Sequence, residues 1–177
     1  MERPRMPVGY KFRPSDADLI GYLALYVAGK PVNSEVCIPE KDLYSIEPWH
    51  IIQKSEERVY FLTALNKKSP LNSRYIRRVG DARGTWKSQG KGKPVYRSGC
   101  FEGREQRVII GLKKSLRYEN KTVPEQDGQY LMQQYSLTDK IKSGLKEQLK
   151  DFVLCAIKKK DGESTIIGCT REAANIE

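Results

Sequence analysis

The sequence has few histidines and cysteines, with one histidine, His50, and four cysteines in 177 residues. The cysteines are widely spaced and form no Cys-x-x-Cys pair, lying at Cys37, Cys100, Cys155 and Cys169. A structural zinc site needs clustered cysteine or histidine ligands, so we expect no metal site and no cofactor. We interpret the cysteines as reduced thiols in an intracellular compartment.

Long hydrophobic runs are also missing. The sequence contains no apolar stretch long enough for a transmembrane helix, so we expect no membrane partner. Its first residues, Met-Glu-Arg-Pro-Arg-Met-Pro, lack the apolar core of a signal peptide. A hydrophobic share of 38% with a charged share of 31% is typical of a folded domain. Residues 161–177 have no periodic apolar face, and we predict that they form a mobile tail.

Positive charge is abundant and concentrated. The chain has 32 Lys+Arg and 22 Asp+Glu, for a net charge of +10. Residues 67–117 contain 15 of the basic and 3 of the acidic residues, so this segment carries +12 and the rest of the chain −2. A localised positive field attracts and steers a polyanion. The segment therefore predicts an acidic partner.

Residues 86–93 within this segment read Trp-Lys-Ser-Gln-Gly-Lys-Gly-Lys. In an extended strand, alternate residues share one face, here Thr85, Lys87, Gln89 and Lys91. Trp86 would then point into the core. Lysine suits phosphate contacts, and glutamine can pair with an adenine edge in the major groove. These residues alone are equally compatible with a solvated, lysine-rich hairpin.

The hydrophobic pattern predicts a helical N-terminal third followed by strands. Ser15 is expected to cap a helix with Asp18 at its third position, and Gly29 with Pro31 to end it. Short helical segments are predicted at 39–44 and 47–52. Strands are predicted at 59–62, 75–79, around Trp86, and at 94–97, 108–118, 129–137 and 152–157. We expect 94–97 to return antiparallel to the Trp86 strand and 138–151 to be an irregular linker.

This order of elements predicts an α+β fold, in which helices cover one side of an antiparallel sheet. An enzyme is disfavoured by the same sequence. Residues 84–91 superficially resemble a phosphate-binding loop, but five residues rather than four separate the glycines, and Gly92 replaces the metal-binding Ser/Thr. The sequence also suggests no nucleophile–base pair, so we predict that the chain is not an enzyme.

Six segments in order resemble the NAC domain, the DNA-binding domain of a large class of plant transcription factors. They read Pro-Val-Gly-Tyr-Lys-Phe-Arg-Pro-Ser-Asp at 7–16, Asp-Leu-Tyr with Glu-Pro-Trp at 42–49, Trp-Lys-Ser-Gln-Gly-Lys at 86–91, Gly-Leu-Lys-Lys-Ser-Leu at 111–116, Tyr-Leu-Met-Gln-Gln-Tyr at 130–135 and Phe-Val-Leu-Cys-Ala-Ile at 152–157. The resemblance covers about residues 7–160, which we predict to be one DNA-binding and dimerisation domain.

The resemblance implies a twisted antiparallel β-sheet flanked by a few helices, nuclear localisation and binding to double-stranded DNA. It also implies a homodimer, or a heterodimer with a related NAC protein. The positions implied to face bases are Lys87, Ser88, Gln89, Gly90 and Lys91, with Trp86 as their structural support. Candidate phosphate contacts are Arg78, Arg83, Lys93, Lys113 and Lys114. The implied dimer interface comprises Val8, Tyr10, Lys11, Phe12 and Asp18.

The sequence departs from the family pattern at several of these places. Ser88 and Gln89 replace an alanine and a threonine, and residues 125–128 are acidic where the family is basic. Lys11 and Asp18 replace an arginine and a glutamate that the family pairs across its dimer. These departures leave open an alternative function, a NAC-like protein-interaction module with weak or lost DNA binding.

Overall fold

The computed structural model describes residues 12–31, 36–52, 58–69, 74–81, 83–101 and 103–160. Three α-helices occur there: α1 (Asp16–Val27), α2 (Pro48–Ile51) and α3 (Asp139–Lys142). The strands are β1 (Val59–Ala64), β2 (Arg78–Val79), β3 (Gly84–Ser88), β4 (Lys93–Phe101), β5 (Arg104–Glu119), β6 (Tyr130–Leu137) and β7 (Phe152–Lys159). Two 3₁₀ turns lie at Pro124–Gln126 and Glu147–Leu149.

The described strands form one antiparallel sheet in the order β1-β7-β6-β5-β3-β2, with β4 also paired to β5. The 16-residue β5 organises this arrangement. Its C-terminal part pairs with β3, its N-terminal part with β4, and β6 lies on its other edge. Strands β3 and β4 therefore lie end to end along one edge of β5.

The prediction that 94–97 return antiparallel to the Trp86 strand is wrong. Both β3 and β4 are antiparallel to β5, so they run in the same direction. The reason lies in the length of β5, which offers a continuous edge to both strands. The residues between β3 and β4 consequently form an excursion along that edge instead of a hairpin turn.

Helix α1 begins as the sequence predicts. Ser15 Oγ accepts a hydrogen bond from the Asp18 amide at 3.2 Å, and Asp18 Oδ2 accepts one from the Ser15 amide at 2.9 Å. This reciprocal capping box satisfies two backbone donors that the first helical turn leaves free. The buried side of the helix packs on one sheet face with residues of β4, β6 and β7.

The helices lie on both faces of the sheet, so the expectation that they cover only one side is wrong. The second face carries a separate cluster, here called the second core cluster, that includes Trp86, Tyr118 and Ile52. Trp49 and Ile51 of α2 pack against it. Strand β7 is buried continuously from Val153 to Ile157, and such a strand needs apolar cover on each face.

Most of the other sequence predictions are confirmed in outline. The predicted strands at 59–62, 108–118, 129–137 and 152–157 correspond to β1, β5, β6 and β7, and the segment at 47–52 contains α2. Residues 39–44 form no helix, and Glu40 instead makes a parallel bridge to Leu62. The linker at 138–151 contains α3 and a 3₁₀ turn. The predicted tail lies outside the described residues. Among the residues that the structure describes, no helix is long and apolar enough to cross a membrane.

Gly111 allows α1 to lie close to the sheet. A Cβ atom at this position would lie 2.3 Å from Cδ1 of Ile20 and 2.7 Å from the backbone oxygen of Ser136. The isoleucine could rotate away, but the sheet backbone could not move without disturbing the pairing of β5 with β6. The absence of a side chain is therefore a packing requirement at this strand position.

We expect Gly111→Ala to lower the free energy of unfolding by about 1–3 kcal/mol, because the added methyl group overpacks the contact between α1 and β5. Chemical denaturation would measure the change. Gly21→Ala in α1 is the matched control, since a Cβ there meets nothing within 4 Å. That substitution should stabilise the helix by about 0.5–1 kcal/mol. Equal stability of Gly111→Ala and the parent protein would contradict the packing argument.

Candidate nucleic-acid interface

Residues 89–92 form an exposed excursion from the sheet edge, here called the edge loop. Ser88 pairs with Leu116 and Lys93 with Lys113, so four residues lie opposite two residues of β5. The Gln89 amide still donates to the Ser115 carbonyl at 2.9 Å, which keeps the start of the loop attached to the sheet. The loop is therefore a local outward expansion of an otherwise continuous strand edge.

Hydrogen bonds within this segment hold the edge loop in one conformation. Ser88 Oγ donates to the Gly90 carbonyl at 2.9 Å, and Gln89 Nε2 donates to the Lys87 carbonyl at 3.1 Å. Gly90 has φ +141°, a backbone conformation that favours glycine because it lacks a Cβ. These features explain why a short segment rich in glycine and lysine has a defined conformation at this position.

The regular strand on which the predicted alternation rests covers only part of the segment. Strand β3 ends at Ser88, and residues 89–92 form the edge loop. The structure nevertheless brings all five predicted base-facing positions, 87–91, into one exposed and contiguous segment.

Trp86 lies in the core behind this segment, as the strand pattern predicts. Its side chain is 1% exposed, and its ring meets the Tyr118 ring edge to face at a centroid distance of 5.5 Å. Tyr118 also contacts Trp49 and Tyr130 in edge-to-face geometry. Such aromatic pairs contribute about 0.5–1.5 kcal/mol each beyond their buried area, so β3 packs on a rigid cluster of aromatic side chains.

The Tyr118 hydroxyl adds hydrogen bonds to this aromatic cluster. It donates to Glu47 Oε2 at 2.5 Å and accepts from Asn120 Nδ2 at 2.9 Å. Burial, followed by the bond to Glu47, raises the pKa of Tyr118 well above its usual range. A Cβ on Gly84 would lie 1.9 Å from this hydroxyl, so only glycine lets β3 pass directly over it.

The predicted phosphate contacts fall into three places. Arg78 in β2, Arg83 before β3 and Lys93 after the edge loop are all exposed. Lys113 Nζ instead contacts both carboxylate oxygens of Asp16 at 3.0 Å, which ties β5 to the start of α1. Lys114, the next residue, lines a cleft on the opposite sheet face.

Sequence reasoning missed an acidic neighbour of the base-facing lysine. Lys87 Nζ lies 3.3 Å from Glu119 Oε2, and Arg117 Nη2 donates to Glu119 Oε1 at 3.1 Å. Burial opposes ionisation of Glu119, but the bonds from Arg117 and Lys87 outweigh it and lower its pKa. Lys87 remains 65% exposed. The strand register creates this cluster, and the sequence contained no signal for that register.

The predicted dimer residues are only partly visible. Val8, Tyr10 and Lys11 lie outside the described residues. Phe12 packs within its own chain, with ring centroids 5.2 Å from Tyr60 and 6.1 Å from Tyr22. Asp18 is exposed but already serves the α1 cap. Its predicted contact with Lys11 of a partner chain stays a prediction.

No group of three or more His, Cys, Asp or Glu side chains among the described residues is arranged to hold a metal ion. Two cysteines whose side chains the structure describes are free thiols, with Cys37 exposed and Cys155 buried. Burial raises the pKa of the Cys155 thiol well above its usual range, which keeps it protonated and unreactive.

Comparison with known proteins matches the chain to one protein family. The family model described as "No apical meristem (NAM) protein" matches residues 7–137. NAC transcription factor 32 of Arabidopsis thaliana is 33% identical over 166 residues, covering 89% of this chain and 61% of that protein. NAC domain-containing protein 72 of the same plant is 34% identical over 164 residues, covering 90% and 52%.

A wheat relative, NAC transcription factor NAM-A1 of Triticum turgidum subsp. durum, is 31% identical over 179 residues, covering 89% of this chain and 43% of its own length. The chain thus spans about half the length of the curated relatives it matches. The prediction that the chain is not an enzyme is confirmed, because these relatives are named as transcription factors or NAC domain proteins. Six motifs in order, a curled antiparallel sheet with three α-helices among the described residues, and a family match over residues 7–137 establish that the chain belongs to the NAM family of NAC domain proteins.

Proposed function

We propose that this chain is the DNA-binding domain of a plant transcription factor that acts in the nucleus and recognises double-stranded DNA by sequence. One observation carries the proposal. An exposed segment with lysines at 87, 91 and 93 stands at a sheet edge that a buried tryptophan and tyrosine hold rigid. The family relatives named as transcription factors support the same function.

The geometry suits the major groove. The B-DNA major groove is about 12 Å wide and accepts a two-stranded β-ribbon. The edge loop projects from the edge formed by β3 and β4, with β5 behind it as the second strand. Ser88 has a small side chain and Gly90 has none, which permits the backbone to approach the base edges closely. The functional side chains would then be those of Lys87, Gln89 and Lys91.

Phosphate contacts would lie on either side of this segment. Lys93 follows the edge loop, while Arg78 and Arg83 lie around the turn that enters β3. Such contacts fix the register of a protein on the duplex but carry no sequence information. Lys113 is the weakest member of the predicted set, because binding a phosphate would require it to leave Asp16. Lys114 faces the cleft and would reach a phosphate only at the cleft rim.

The first expected result is a steep salt dependence of duplex binding. A dimer that neutralises about 6–10 phosphates should lose about 10³–10⁵ in affinity between about 50 and 200 mM salt, because bound counterions are released. Fluorescence anisotropy with a random duplex pool would measure it at both concentrations. Affinity that hardly changes with salt would contradict the electrostatic basis of the proposal.

Substitutions at two exposed positions should distinguish contacts to bases from contacts to phosphates. We expect Gln89→Ala to relax preference at one base position, by about 1–3 kcal/mol for a bidentate contact. Lys93→Ala should weaken binding to all duplexes alike, because its proposed partner is a phosphate. Binding-site selection from a random pool, followed by titration of single-base variants of the selected site, would measure both effects. Sequence-blind losses in the two variants would remove Gln89 from readout.

We also propose that the domain dimerises through its N-terminal arm, as a homodimer or with a related NAC protein. An extended arm has unpaired backbone groups that a two-fold mate can satisfy. Lys11 would approach Asp18 of the other chain, but an exposed ion pair contributes only about 0–1 kcal/mol. Apolar contacts of Val8 and Tyr10 would therefore dominate, with Phe12 divided between the interface and its own aromatic cluster.

Sedimentation velocity should show a dimer of the parent protein at micromolar concentration. Lys11→Glu should raise the dimer dissociation constant, because it places two acids opposite each other. Lys30→Glu is the matched control, since Lys30 is exposed at the far end of α1. A monomeric parent protein would contradict the arm interface. Equal effects of the two variants would show that Lys11 does not meet Asp18 of the partner chain.

The alternative of a protein-interaction module has its own observation in the structure. Glu119 partly neutralises Lys87, and acidic Glu125 lies in an exposed 3₁₀ turn. Both features weaken the attraction of this surface for a polyanion. The salt titration also tests this alternative, because a duplex that fails to bind even at about 50 mM salt would favour it over DNA recognition.

A further inference from the structure

We propose that Glu119 is a positioning residue that sets the specificity of the DNA-binding edge, because it directs Lys87 to base edges and away from phosphates. The inference rests on the proposed function, since it concerns the same surface. Glu119 and its neighbour Arg117 lie outside the six segments that resemble the NAC domain, so the motifs assign no role to either residue.

The pairing of β3 with β5 brings three charged side chains onto one face. Lys87 lies directly opposite Arg117, and Glu119 follows two residues further along β5. Because alternate residues of a strand share a face, these three side chains project on the side away from buried Trp86 and Tyr118. Diagonal neighbours in an antiparallel pair are about 7–8 Å apart, which long side chains can span. Lys87 and Glu119 can therefore meet on this face.

Glu119 contacts the two cations through different carboxylate oxygens. Its Oε2 lies 3.3 Å from Lys87 Nζ, and its Oε1 accepts a hydrogen bond from Arg117 Nη2 at 3.1 Å. Like charges directly opposite each other destabilise a strand pair, and the carboxylate compensates this repulsion between Lys87 and Arg117. That stabilising role belongs to the free protein and does not depend on DNA.

The two cations differ in how readily they can leave the carboxylate. The side chain of Lys87 is 65% exposed, whereas that of Arg117 is 40% exposed. The Nε atom of Arg117 is buried. A Cβ on Gly128 would lie 3.9 Å from Nε, Cδ and Cζ of Arg117, so the guanidinium packs against the turn before β6. Lys87 is therefore the cation that can turn toward a duplex, while Arg117 stays with Glu119 and keeps the carboxylate paired.

A lysine held in this way can still bind a base. Its ammonium group has three N–H donors, so one can stay with Glu119 while the others reach acceptors such as guanine O6 and N7. A phosphate bound to Lys87 would instead bring its negative charge close to the Glu119 carboxylate, and the two would repel each other. Non-specific complexes depend on phosphate contacts. Glu119 should therefore weaken non-specific binding more than specific binding.

The test compares Glu119→Gln with the parent chain on two duplexes, the site selected from a random pool and a scrambled duplex of the same composition. We expect affinity for the scrambled duplex to rise about fivefold, the size expected of one exposed charge pair. The slope of log affinity against log salt should become steeper by about 0.9, because freed Lys87 neutralises one more phosphate. Affinity for the selected site should change less, so discrimination between the duplexes falls.

Glu105→Gln is the matched control. It removes the same charge from an exposed position near the other end of β5, so it should leave discrimination between the duplexes unchanged. Lys87→Met provides the second comparison. If Glu119 acts through Lys87, Glu119→Gln should neither steepen the salt slope nor alter discrimination in the Lys87→Met background. Chemical denaturation would measure the stability of each variant in parallel.

The inference is overturned if Glu119→Gln keeps the discrimination and salt slope of the parent chain, even where it unfolds at lower denaturant. Glu119 would then only stabilise the strand pair. Equal effects of Glu105→Gln and Glu119→Gln would also overturn it. A parent chain that binds neither duplex at about 50 mM salt would contradict the proposed function together with this inference. Steep salt-dependent binding by the parent with an unchanged Glu119→Gln variant would contradict the inference alone.

Discussion

The buried hydroxyl of Tyr118 is the interaction on which the candidate DNA-binding edge depends. It joins Glu47, next to α2, to Asn120 at the end of β5, while the tyrosine ring supports Trp86 in β3. Asn120 in turn accepts hydrogen bonds from two amides of the following turn. A satisfied polar network in a core rigidifies its surroundings, whereas a half-satisfied one is costly. Gly84 belongs to the same constraint, since any side chain there would displace the hydroxyl.

The long strand β5 connects this rigid region to the opposite face of the sheet. Its side chains alternate, so Leu116 and Tyr118 enter the second core cluster, while Lys113 faces α1 and bonds to Asp16. The Asp16 carboxylate also accepts from the Tyr135 hydroxyl at 2.7 Å. One strand therefore connects the start of α1, close to the predicted dimer arm, with the base of the edge loop.

Local features of the fold could be predicted from the sequence, and long-range pairings could not. The Ser15 cap followed from residues three apart, and β5, β6 and β7 followed from apolar patterns within each strand. The partner of β4 depended on how far β5 extends, which no short pattern specifies. The pairs Lys113–Asp16 and Lys87–Glu119 join residues 97 and 32 positions apart, and they arise only after register and helix placement are set. The edge loop segment itself was recognisable because its motif is contiguous.

The basic residues of segment 67–117 therefore do not form one continuous charged surface. Lys113 is neutralised against α1, and Lys87 shares Glu119 with Arg117. The edge loop cations project from the sheet edge, while those around Arg77 converge in a cleft behind it. Exposed charges are screened beyond about 8 Å at physiological salt, whereas partly buried charges are screened much less. The edge cations should therefore act on a partner that makes many contacts at once, such as a duplex.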